Sequence, residues 1–127
     1  MKIKIEFFRE EFIEAIGAGI YKVSIKYADK EELLYIGESV FILVRCATHL
    51  FKLKSNPNYF GFTDESIQDE NITLKMELIE TCDDKKKRKQ LEKQLITINK
   101  PIMQSGISDR MKDIDEKIDA LTEFLNS

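Results

Sequence analysis

The chain has 127 residues, of which 43% are apolar and 34% charged, enough for one ordinary core and a single domain spanning residues 1–127. No apolar run approaches the roughly 18 residues of a membrane span. Two cysteines, Cys46 and Cys82, exclude a disulfide framework and a four-ligand zinc site, and one histidine excludes a multi-histidine metal centre. With no apolar secretory segment at the N-terminus, the expected compartment is the cytoplasm. The net charge is −3. Residues 109–127 carry six acids and three bases, so residues 1–108 balance to zero, and within them Lys85 to Lys89 form five consecutive bases. A local basic surface is therefore compatible with the acidic total.

Residues 2–7 alternate Lys2, Lys4 and Glu6 with Ile3, Ile5 and Phe7, which predicts a half-buried strand. Phe8, Phe12 and Ile16 recur every four residues and predict a short helix ended by Gly17 and Gly19. The segments 19–27 and 33–37 predict two strands joined by the polar turn 28–32, a hairpin. Ser39 is the expected N-cap of a helix over 40–52, with Val40, Leu43, Val44, Ala47 and Phe51 as its apolar face. That helix carries Arg45 and His49 four residues apart, pointing the same way. An Arg amid Val44 and Cys46 is expected to be buried and to need an anionic partner.

Residues 55–71 predict an irregular excursion pinned by Tyr59, Phe60 and Phe62. The alternation of Ile72, Leu74, Met76 and Leu78 predicts a third strand. Thr81 and Asp84 resemble a capping box ahead of a helix that buries Leu91, Leu95 and Ile98 and stops at Pro101. Ser108 is the expected cap of an acidic last helix, 108–127, with the stripe Met111, Ile114, Ile118, Leu121 and Leu125. The pattern predicts one α+β domain: a small antiparallel sheet of three or four strands flanked by helices.

No phosphate-binding glycine loop and no paired nucleophile stands out. The chemistry-bearing residues are Tyr21, Tyr35, Arg45, His49 and Glu92. A carboxylate can hold a divalent cation, an Arg can neutralise a phosphate, and a phenol can relay a proton, which are the parts of metal-assisted phosphodiester hydrolysis. Taken singly, each is more often structural, and Glu92 has a plain helical partner in Arg88, four residues before it. Periodicity by itself stops at an α+β domain.

Order and spacing go further. Gly19-Ile20-Tyr21 is followed, fourteen residues from Tyr to Tyr, by Tyr35-Ile36-Gly37, then by Arg45, by His49 and by the segment 91–104 with Glu92, Leu95-Ile96, Pro101 and Gln104. Over residues 18–104 this resembles the GIY-YIG nuclease family. The resemblance implies that Glu92 holds one Mg²⁺ (or Mn²⁺) and that Arg45 binds the scissile phosphate. It implies that Tyr21 serves or orients the attacking water, that Tyr35 lines the site, and that His49 assists at the phosphate or leaving oxygen. Gly37 is expected to let substrate approach the backbone, Gly19 to build the hairpin, and Gln104, where the family usually has Asn, to brace the site. DNA is the implied partner, with Lys85, Lys86 and Lys89 placed to grip phosphates. The apolar run Val40–Val44 is unusual for a DNA-facing helix and suits packing on the N-terminal segment or on a second copy of the chain. The alternatives are a non-catalytic module of the same fold that binds nucleic acid or protein, and an interaction subunit docking through its last helix.

Overall fold

Alternation along Gly19–Tyr27 and Lys30–Ser39 builds two strands, β2 and β3, in a computed structural model that describes residues 1–103 and 114–127. With β1 (Lys4–Phe7) and β4 (Ile72–Thr81) they make a four-stranded sheet in the order β1-β4-β2-β3. The sheet is mixed. β2 runs antiparallel to β3 and β4, but β1 lies parallel to β4, with Ile5 opposite Leu74, which corrects the wholly antiparallel expectation. Apolar alternation fixes which face of β1 is buried and says nothing about the direction of its neighbour.

The hairpin is tighter than expected. Only Ala28 and Asp29 separate the strands, with Ala28 at φ 56°, and pairing continues from Tyr27↔Lys30 to Gly19↔Ser39. The predicted helix over Phe8–Ile16 is instead a run of turns closing in one 3-10 turn, Glu14–Ile16. Phe8 leaves β1 at φ 50° and is fully buried, so the chain bends away before a helix starts.

Three α-helices stand among the described residues: α1 (Ile42–Ser55), α2 (Lys85–Asn99) and α3 (Ile114–Asn126). None is long and apolar enough to cross a membrane. α1 begins after Phe41, whose N–H donates to the Ser39 hydroxyl, so Ser39 braces the entry from two residues before the N-cap instead of being the N-cap itself. α2 is capped by Asp84, which accepts from the Lys87 N–H at 3.0 Å, while Thr81 ends β4. Lys100 ends α2 in the left-handed region (φ 47°), and Pro101 follows. Residues 55–71 hold two 3-10 turns, Pro57–Phe60 and Ser66–Gln68, with Phe60 and Phe62 fully buried. In α3, Leu121 is buried and Ile118 and Leu125 half-buried, whereas Gln104, Ser108 and Met111 lie outside the described residues.

The sheet separates two apolar clusters. Tyr21, Val23, Ile25, Tyr35, Leu74 and Met76 meet Cys46 and Leu53 of α1 in the main core. Ile20 and Ile36 meet Ile96 of α2 in a smaller one. Two faces are served, and for that reason β2 is buried almost throughout.

Candidate functional site

The row of α1 that enters the core is Ile42, Cys46, His49 and Leu53. The predicted face is mostly not the buried one: Val40, Val44 and Phe51 are all more than half exposed and Ala47 is exposed, while Leu43 is half-buried against the core. Arg45, one position from Cys46, is exposed too, contrary to the expected buried guanidinium.

His49 therefore points inward, and four rings enclose it. Tyr21, Tyr35, Tyr59 and Phe60 have ring centroids 5.8, 5.5, 5.8 and 5.9 Å from its own. Its Nε2 lies 2.7 Å from the Tyr21 hydroxyl and its Nδ1 2.7 Å from the Tyr59 hydroxyl. With both nitrogens occupied by phenols, the imidazole is a partner of Tyr21 rather than a group presented to a phosphate. Burial pushes its pKa down to about 4, and the Arg45 and Lys52 charges push the same way. His49 is neutral at physiological pH.

Tyr21 is fully buried. Burial raises its pKa above the usual phenol range, Tyr35 and Cys46 add to this, and Arg45 opposes it through charge and a hydrogen bond. Its ring lies over Gly37, its partner across the β2–β3 pair. A Cβ at Gly37 would collide with the Tyr21 hydroxyl. Gly37 is thus buried inside β3, and its missing side chain accommodates the phenol rather than opening the backbone to substrate. Gly19 opens β2 and takes no part in the cluster.

Glu92 lies on α2, 7% exposed, in the row Arg88–Glu92–Ile96 that faces the sheet. The predicted buried face of α2 was one position off: Leu91 and Leu95 are half-buried, and Ile98 is 75% exposed. The Arg88 Nε donates to Glu38 at 2.6 Å, and Ile96 packs with Ile36. Glu92, midway between them, lies beside the Ile36–Glu38 stretch of β3. Its Oε2 is buried and accepts no hydrogen bond among the described residues. A buried hard oxygen of this kind fits a Mg²⁺ ligand, an ion that keeps most of its waters. Among the described residues no three His, Cys, Asp or Glu side chains gather.

The basic run divides. Arg88 is buried on Glu38, and Lys89 also donates to Glu38, at 3.0 Å. Burial raises the Glu38 carboxyl, but these two partners outweigh it and hold the pKa below the ordinary value. Lys85 and Lys86 stay exposed at the start of α2. A second basic group, of which the sequence pointed only to Arg45, gathers at the His49–Tyr59 pair: Arg45, Lys52 and Lys117. The Lys52 and Lys117 ammonium groups lie 5.7 and 5.3 Å from the Tyr59 ring. Lys117 belongs to α3, and no spacing along the chain connects it with Arg45. No protein-family model matches the chain, and no curated protein or solved structure matches it either.

Proposed function

We propose that the chain is a metal-dependent DNA endonuclease with a GIY-YIG-like fold and a single-metal site. The observation that carries the reading is the meeting of Tyr21, Tyr35 and His49, residues from three elements, in one hydrogen-bonded and ring-packed cluster, with the Arg45 charge acting on Tyr21 and His49. Arg45 stands at the exposed rim, where a guanidinium binds a phosphate and stabilises charge in the transition state. Tyr21 orients the attacking water or accepts its proton, with the neutral His49 imidazole behind it as acceptor. Tyr35 packs the site. Glu92 would hold Mg²⁺ or Mn²⁺, which supplies Lewis-acid stabilisation of charge on the phosphate. Lys52, Lys85 and Lys86 are the exposed cations offered to a phosphate backbone.

Plasmid, nicked and branched duplexes incubated with Mg²⁺ or Mn²⁺ test this. Glu92→Ala and Arg45→Ala are each expected to lower cleavage by about 10²-fold, as for other lost transition-state electrostatic groups. Equal cleavage by Glu92→Ala and the parent overturns the assignment. One observation favours a second reading, a binding module without turnover: Tyr21 is fully buried and already hydrogen-bonded to His49. That reading predicts salt-dependent duplex binding with no metal-dependent cutting.

A further inference from the structure

Tyr21 is fully buried, and the partner its hydroxyl meets is the His49 Nε2, 2.7 Å away. A buried O–H that donates to nothing is costly, whereas the half-buried Tyr59 hydroxyl can reach water, so Tyr21 gives its proton to the His49 Nε2. A neutral imidazole has one N–H, and with Nε2 accepting, that hydrogen sits on Nδ1 and points at the Tyr59 oxygen. The donors run in one direction, Tyr21 to His49 to Tyr59, from the core out to a half-buried phenol.

Tyr59 is held for such a task. It sits in the 3-10 turn Pro57–Phe60, edge-on to Phe60 with centroids 4.9 Å apart. Lys52 and Lys117 flank its ring, and the Lys117 Nζ donates to its backbone carbonyl at 2.9 Å. We propose that Tyr59 is a positioning residue of the site: it accepts the Nδ1–H of His49 and thereby fixes the tautomer whose bare Nε2 faces Tyr21. The use of that tautomer in cleavage rests on the nuclease reading; the tautomer itself belongs to the resting chain.

His49 is the chain's one histidine, so long-range 1H–15N spectra of the labelled full chain report it without assignment. The parent is expected to show Nδ1 protonated and Nε2 bare. Tyr59→Phe, which keeps the ring, is expected to turn that single tautomer into a mixture. In cleavage assays the same variant is expected to lower kcat about tenfold with KM unchanged, the scale of a lost orienting bond. A parent with its hydrogen on Nε2 overturns the inference whether or not the variant folds, and so does a folded Tyr59→Phe with the parent tautomer. A parent that cuts no DNA but loses its tautomer with Tyr59 removes the nuclease reading and leaves the positioning role standing. A parent that cuts while its tautomer ignores Tyr59 does the reverse.

Discussion

A histidine wedged between two phenols and flanked by Arg45 and Lys52 has to remain neutral, and that ties stability to pH. In the unfolded chain His49 takes up a proton near the ordinary value of about 6.5. In the folded chain burial, followed by the two cations, delays this to about 4. Between those values the unfolded state binds more protons, so stability falls as pH falls. At about 1.4 kcal/mol per pH unit the contribution is about 3 kcal/mol, present above pH 6.5 and lost progressively towards pH 4. Urea unfolding of the parent is expected to weaken across that window, and His49→Gln to flatten the decline. Parallel curves for the two proteins contradict it. The partners Tyr21, Arg45 and His49 were legible because each sits at a fixed interval on a strand or helix. Tyr59 was not: an irregular segment has no period, so nothing in the sequence says that its hydroxyl returns to a helix ten positions earlier.

Helix α1 shows why spacing locates a helix more surely than its buried side. Val40, Val44 and Phe51 recur at helical intervals, and so do Ile42, Cys46, His49 and Leu53. A helix apolar on both sides has no unique stripe, and the choice falls to the way the chain leaves β3 at Ser39 and turns at Phe41. The same degeneracy displaced the face of α2 by one position, because Arg88 and Glu92 enter the buried row as ionisable groups that hydropathy places outside. Strands gave less trouble, since a period of two leaves only two choices, although the parallel partner of β1 was beyond the reach of alternation. The observed face of α1 has a direct consequence. Leu53→Ala, at a fully buried position, is expected to cost about 2–5 kcal/mol. Phe51→Lys, at a position 71% exposed, is expected to stay within about 0.5 kcal/mol. Guanidinium unfolding of both variants ranks the two faces, and the opposite ranking would put the Val44–Phe51 side in the core.

At the scale of the whole molecule, α3 joins the site to the far end of the sheet. Near its start the Lys117 Nζ reaches the Tyr59 carbonyl, and at its end the Lys30 Nζ, beside the β2–β3 turn, donates to the Phe124 and Ser127 carbonyls at 2.7 Å each. α3 also passes close to Gly61, which follows Phe60 at φ 88°, a left-handed conformation that costs a side-chain-bearing residue about 1–2 kcal/mol. A Cβ there would also run into the Lys117 carbonyl, so backbone of α3 rather than a yielding side chain would have to move. Gly61→Ala is therefore expected to lift α3 from the segment carrying Tyr59, lowering the melting temperature by roughly 5–10 °C and opening α3 to limited proteolysis. Gly17→Ala is the matched control, because a Cβ at Gly17 meets nothing within 4 Å and its φ is −93°. If Gly61→Ala melts and resists protease like that control, α3 is not seated on the 3-10 turn, and the support that Lys117 gives to Tyr59 falls with it.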